Sequence, residues 1–176
     1  MEPDRLERLQ DLPLSYPDVG ATGTALPDGY GHIGRNTAIG RGLAAFRAAG
    51  ECLMTWEMHR QAGLQVTASS PRAATGTNVL VRIGPSWLPL DAPCRVLHTV
   101  EQPDRIGFTY GTLEGHPEQG EESFSVLLDA DEVRFVIIAF SRPASLVTRL
   151  AGPVGRFAQG KILDRYQDAV RGAAAA

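Results

Sequence analysis

FTYGTLEGHPEQGEESF, residues 108–124, has the pattern of a strand, a short polar connection and a second strand. Side chains alternate between the two faces of a strand, so Phe108, Tyr110 and Thr112 share one face. The connection, residues 113–120, contains two Gly and one Pro, which are residue types that allow a chain to reverse direction. The stretch therefore predicts two neighbouring antiparallel strands.

Two adjacent carboxyl groups, Glu121 and Glu122, open the second of these strands just before an apolar run. His116 lies five residues before the first of them. An element that only packs does not need these groups, so we expect any chemistry of the protein to lie here.

The composition is that of one ordinary globular domain. The chain has 176 residues, enough to bury a sizeable core, with 43% hydrophobic and 21% charged residues. We expect residues 1–13 to form a helical extension and residues 14–173 to form a single domain. The net charge of -3 argues against a dedicated nucleic-acid binder.

The cysteines and the apolar runs of the chain bear on its cellular compartment and on metal or cofactor binding. Cys52 and Cys94 do not have the spacing of a zinc or redox motif, so we expect reduced, buried thiols, no metal and no cofactor. The chain has no signal-peptide pattern and no apolar run near the ~20 residues of a membrane span. We therefore expect a cytoplasmic protein without a membrane span.

The remaining elements follow from periodicity. A short helix is expected over residues 4–12, and a long irregular segment over residues 13–30. The sequence further predicts one helix over residues 43–61, with His59 partly exposed at its end. The expected strands are 30–39, 64–69, 78–84, 94–102, 105–113, 124–128 and 133–140, and the expected final helix is 144–173, kinked or split at Pro153.

This order predicts an α+β fold, in which a curved antiparallel sheet of about six to seven strands wraps around a long C-terminal helix. Such a helix-grip arrangement leaves a cavity between the sheet and the helix. The strand 133–140 is apolar on both faces after Arg134, so one face is expected to line something dry.

Residues 108–124 also resemble the hallmark motif of the DUF1990 family, called UPF0548 as well. Four further blocks occur in the order that the family shows, and together they cover about residues 14 to 171: Tyr16–Thr22, Gly40–Trp56, Pro93–Val96 and Ala139–Pro143. The region from Pro153 to Tyr166 is similar to the family's C-terminal helix. The family is named for its unknown function, so the resemblance implies little chemistry. The predicted fold is similar to START and Bet v 1-like domains, an assignment that rests on the element order.

Three classes of function stay open. The first is the binding of a small apolar or aromatic molecule in the cavity. The residues expected to contact it are Tyr16, Trp56, Trp87, Phe108, Thr112, Glu121, Phe140 and Ser141. The third class, after the enzyme described in the next paragraph, is a protein–protein adaptor that uses the acidic loop and the basic C-terminal helix.

The second class is an enzyme without metal or nucleotide, such as a lyase, cyclase, isomerase or hydrolase. His116 or Glu122 would act as general base, with Tyr110 or Arg142 stabilising an oxyanion or enolate. The alternative for these residues is structural. Glu121 or Glu122 would then pair with Arg142 across neighbouring strands, and His116 would cap a turn.

Overall fold

The computed structural model describes residues 3–84, 89–145 and 152–176, and Trp87 lies outside these ranges. Seven strands occur within them: β1 Gly31–Arg41, β2 Gln65–Ala68, β3 Asn78–Ile83, β4 Leu90–Glu101, β5 Arg105–Thr112, β6 Glu118–Asp129 and β7 Glu132–Pro143. The described helices are α1 Pro3–Gln10, α2 Gly42–Met54, α3 Glu57–Gln61 and α4 Gly152–Ala175, with a 3₁₀ turn at Ala21–Gly23. None of these helices is long and apolar enough to cross a membrane.

All seven strands form one antiparallel sheet in the order β1-β7-β6-β5-β4-β3-β2. Strands β2 to β7 are neighbours in sequence as well as in space, as short connections require. Strand β1 pairs with β7 at the edge of the sheet, from Gly31 opposite Ser141 to Arg41 opposite Glu132. The predicted fold class is confirmed.

One face of the sheet carries the core. Phe108, Phe124, Phe135 and Ile137 are fully buried on it, and α2 and α4 pack over them. The apolar residues of β7 alternate as a strand requires, with Phe135 and Ile137 buried and Val136 and Ile138 only half-buried. This inner face is the one that positions the candidate site.

Strand β6 begins at Glu118, six residues earlier than the predicted strand 124–128. Only residues 113–117 separate it from β5, so Glu121 and Glu122 lie inside the strand rather than at its mouth. The difference arises because polar residues 118–123 pair along their whole length with β7, and backbone pairing does not require apolar side chains.

The final helix does not include the first two residues of the predicted helix 144–173. Ala144 and Ser145 are not helical, and residues 146–151 lie outside the described part of the chain. Pro153 is the second residue of α4 as the structure describes it. The described helix therefore continues from Gly152 to Ala175.

The single predicted helix 43–61 is wrong. The chain breaks after Met54, and Trp56 adopts a left-handed backbone with φ 68° before α3 begins at Glu57. This turn directs α3 inward, so that His59 is fully buried instead of partly exposed. The Trp56 indole N–H donates to the Ser70 carbonyl at 3.1 Å, which holds the turn in place.

His59 lies in an aromatic surrounding. The rings of Tyr166, Phe124, Tyr110, Trp56 and Phe108 have centroids 5.0–6.3 Å from its own. Neither of its ring nitrogens has a hydrogen-bond partner among the described residues. Burial lowers the pKa of His59 to about 3, so the ring is neutral in the folded protein.

We expect His59→Leu to raise the free energy of unfolding by about 1–3 kcal/mol at pH 7, because it removes buried polar atoms that have no partner. The difference should widen as the pH falls from 6.5 toward 3, since the unfolded wild type takes up a proton on His59 that the folded state refuses. Urea unfolding at pH 7 and pH 4.5 measures both effects.

The control is His32→Leu, because His32 is exposed on β1 and its contact with the Pro27 carbonyl is exposed as well, and it should change stability by less than about 0.5 kcal/mol. A His59→Leu protein that is less stable than wild type at both pH values would contradict this account of His59.

Candidate functional site

A cavity of about 290 Å³ lies between the inner face of the sheet and α4. Its wall is mainly apolar, and the apolar side chains come from β3, β4, β7 and α4: Val81, Ile83, Ala92, Ala139, Ile162 and Leu163. Polar groups concentrate on one side, where Tyr110, Glu122, Cys94 and Tyr166 line the same space. The cavity therefore has an apolar wall and, where Tyr110, Glu122, Cys94 and Tyr166 meet, a polar corner.

Glu122 is the carboxyl group of this corner. It pairs in register with Tyr110 across β5 and β6, and the Tyr110 hydroxyl donates to Glu122 Oε2 at 3.1 Å. Burial raises the pKa of Glu122 to about 7, with a smaller contribution from Glu118, while the Tyr110 hydrogen bond opposes the rise. Near neutral pH this group is poised between its acid and base forms.

Tyr110, Tyr166 and Cys94 remain protonated beside it. Burial and the Glu122 charge raise the pKa of each well above its ordinary value. Glu122 is thus the group of this corner that can change charge near pH 7.

Glu121 points to the opposite face of the sheet. Its carboxylate accepts hydrogen bonds from the Tyr16 hydroxyl at 2.9 Å, the Gly20 N–H at 2.7 Å and the Thr22 N–H at 3.1 Å. The Thr22 hydroxyl donates to the same carboxylate. A buried carboxylate with four donors is satisfied, so Glu121 anchors the segment 16–22 to the outer face.

A glycine makes room for this anchor. Gly111 pairs with Glu121, and a Cβ atom at Gly111 would lie 2.2 Å from the Tyr16 hydroxyl. The Tyr16 ring packs edge-on against Phe140 at 5.6 Å, and Tyr30 covers Phe140 from another side at 5.0 Å. Tyr16 and Phe140 therefore serve mainly to pack the outer face, although Phe140 also borders the cavity.

Arg142 is not close to either carboxyl group, contrary to the expected cross-strand ion pair. It lies opposite Gln119 in register, donates to the Gln119 side chain at 3.1 Å and stands 4.7 Å above the centre of the Tyr30 ring. The register explains this, because Glu122 lies opposite Ala139, three residues before Arg142.

His116 lies at the rim of the cavity in the connection between β5 and β6. Its Nδ1 accepts from the Glu118 N–H at 2.9 Å and lies 2.8 Å from the Glu118 carbonyl oxygen. Burial lowers the pKa of His116 to about 4, which makes the ring a neutral group at pH 7. These contacts favour the turn-capping alternative over a general base.

The other predicted site residues divide into two groups. Thr112 and Ser141 border the cavity, and the Thr112 hydroxyl is occupied by Ser15 and by the backbone of Gly120. Trp56 and Phe108 are buried in the core behind the polar corner and do not border the cavity.

Sequence reasoning missed Tyr166 and Cys94 as members of the corner. Tyr166 belongs to the apolar stripe of α4, and helical spacing does not reveal which member of a stripe faces a cavity. Cys94 was expected only as a buried thiol. Within the described ranges, no group of three or more His, Cys, Asp or Glu side chains is placed to hold a metal ion.

Comparison with known sequences matches this chain to one family. The family model described as a domain of unknown function, DUF1990, matches residues 15–169. A UPF0548 protein from Deinococcus radiodurans is 34% identical over 171 residues, which are 90% of this chain and 86% of the relative.

Solved structures share the fold at low sequence identity. A hypothetical protein from Helicobacter pylori superposes with a TM-score of 0.58 at 11% identity, covering 89% of this chain and 95% of that one. The Zhui aromatase/cyclase from a Streptomyces species superposes with a TM-score of 0.56 at 16% identity, covering 82% and 93%.

The neighbouring carboxyl groups should respond oppositely to the same substitution. Glu121→Gln should lower the free energy of unfolding by at least about 2 kcal/mol, because an amide NH₂ would face donors that now bond a carboxylate. Glu122→Gln should raise stability at pH 8 and leave it unchanged at pH 4.

The pH dependence follows from the raised pKa of Glu122. Between pH 4.5 and 7 the unfolded chain releases this proton before the folded chain does, so the wild type loses stability as the pH rises through this window. Chemical unfolding of the two variants at pH 4 and pH 8 tests this. Equal changes in the free energy of unfolding for the two variants at both pH values would contradict the different environments of Glu121 and Glu122.

Proposed function

We propose that this chain, which belongs to the DUF1990 family, binds a small apolar or aromatic molecule in the cavity between its sheet and α4. The observation that carries the proposal is the combination of a mainly apolar wall with a polar corner around Glu122. Ligand sites commonly have this composition, with apolar contact area for affinity and a few polar groups for orientation.

The size of the cavity supports a ligand rather than imperfect packing. Protein interiors have few voids larger than one water molecule. The cavity of about 290 Å³ equals about ten times the liquid volume of a water molecule. It lies near the lower end of the about 300–1,000 Å³ range of ligand pockets, which favours a small molecule.

The cavity also favours binding over the adaptor hypothesis, which needs an outer surface and gives the inner space no purpose. The shared fold supports the same choice, since one protein with this architecture is an aromatase/cyclase by name. That name describes the other protein, and the likeness extends only to the fold.

An enzyme of the lyase, cyclase, isomerase or hydrolase type is the second candidate. One observation favours it: Glu122 faces the cavity with a pKa of about 7 and a hydrogen bond from Tyr110. In this role Glu122 would exchange the proton, and Tyr110 would hold the carboxyl group in place. Arg142 would take no part, because it donates to Gln119 and lies over the Tyr30 ring, and His116 Nδ1 is bonded to the Glu118 N–H. For a ligand once identified, Glu122→Gln should then abolish turnover even at ligand concentrations that saturate the variant.

We expect Ala92→Leu to abolish binding, because Ala92 lines the cavity and the added atoms enter it. A neutral probe that fluoresces in apolar surroundings, N-phenyl-1-naphthylamine, should bind the wild type at one site per chain and lose that site in the variant. The matched control is Ala48→Leu, since Ala48 is exposed on α2.

Thermal unfolding shows whether each variant is folded. Wild type that binds no probe, or an Ala92→Leu protein that is folded and binds as well as wild type, would overturn the proposed site.

A further inference from the structure

The cavity lining is acidic. Glu118 and Glu122 both border it, and no lysine or arginine does so among residues 5–84, 89–145 and 160–176, whose side chains the structure describes. His116, the imidazole at the rim, is neutral at pH 7. The Glu121 carboxylate is bonded on the outer face and takes no part.

The hydrogen bonds of the polar corner leave an acceptor free. Tyr110 donates its hydroxyl proton to Oε2 of Glu122. Among the side chains that the structure describes, those of residues 5–84, 89–145 and 160–176, none donates to the other oxygen, Oε1, and Glu122 is only half-buried because it faces the open cavity. A ligand that satisfies this corner must therefore supply a hydrogen-bond donor.

Aromatic surface flanks the same carboxyl group. Tyr110 and Tyr166 both line the cavity beside Glu122. Tyrosine rings attract cations through their negative faces, and the attraction grows when water is excluded. Acceptor, negative charge and aromatic surface thus occur together at one place.

We propose that the ligand of the cavity is an amine, an apolar or aromatic molecule whose protonated nitrogen pairs with Glu122 beside Tyr110 and Tyr166. This inference rests on the proposed binding function and adds the chemical class of the ligand. A charged donor to a carboxylate makes a hydrogen bond roughly twice as strong as a neutral one.

The proton balance of binding distinguishes this ligand from others. An ammonium group stabilises the ionised form of Glu122, so its binding near pH 7 releases the proton that Glu122 holds in part of the molecules. A neutral ligand with a carbonyl oxygen would instead need the protonated carboxyl group, and its binding would take up protons.

The titratable groups that face Glu122 come from four elements: Cys94 on β4, Tyr110 on β5, Glu118 on β6 and Tyr166 on α4. From β7, the lining residues Ala139, Phe140, Ser141 and Pro143 have no titratable side chain. Cys94 and the two tyrosines stay protonated because the pKa of each is raised. Glu118→Gln, measured in parallel, shows whether any released proton comes from the other carboxyl group.

The test uses three probes with one apolar body: 2-(1-naphthyl)ethylamine, 2-(1-naphthyl)ethanol and 1-naphthylacetate. Isothermal titration calorimetry at pH 7, in two buffers of different ionisation enthalpy, measures affinity and proton exchange together. We expect the amine to bind the wild type at least about tenfold more tightly than the alcohol, equivalent to about 1.4 kcal/mol, with net proton release. Glu122→Gln should remove both the preference and the proton release but retain alcohol binding.

The control variant is Glu114→Gln, which removes one negative charge from the exposed connection after β5 and should preserve the preference. Proton uptake, equal or tighter binding of the alcohol or acid, or a preference that survives in Glu122→Gln would overturn the amine inference and leave the binding function standing. If the cavity binds N-phenyl-1-naphthylamine but none of the three probes, the amine inference also fails. If it binds none of the four molecules, the proposed function fails with it.

Discussion

The alternation of side chains along β6 is the constraint on which the site depends. Glu121 and Glu122 are neighbours in the chain, yet the pleat sends one to the outer face and the other into the cavity. The outer carboxylate collects four donors from the segment 16–22 and fastens that segment to the sheet. The inner carboxylate has one donor and faces open space, so its chemistry is left available to a ligand.

The two carboxyl groups also differ in what they do for stability. Folding supplies Glu121 with four hydrogen bonds that replace its hydration. Glu122 loses water without full replacement, which is why burial raises its pKa to about 7. His59, behind the corner, is a second polar group that folding leaves unsatisfied.

Much of the fold follows from the sequence, because strand alternation and turn residues are local signals. The antiparallel sheet, the β6–β7 hairpin, the C-terminal helix and the membership of the DUF1990 family are confirmed. The break at Trp56 was not predictable, since a tryptophan with φ 68° has no local sequence signal and is imposed by packing. The inward position of His59 follows from that break.

The site was predicted in part. Tyr110 and Glu122 lie together at the cavity because strand pairing places them in register, and alternation alone locates them. The partners of Arg142 depend on the register between β6 and β7, and the role of Tyr166 depends on how α4 is rotated against the sheet. Strand register and helix rotation both depend on tertiary packing, which local sequence patterns do not reveal. The donors to Glu121 come from a segment about a hundred residues away, a distance over which local patterns carry no information.

Native mass spectrometry of the freshly purified protein tests the central claim, a binding cavity behind Glu122, most directly. We predict a fraction of chains that are heavier by one small molecule, which is released on denaturation and identified as apolar or aromatic. A mass equal to that of the chain alone, together with an unchanged melting temperature across a panel of small metabolites, would contradict the claim.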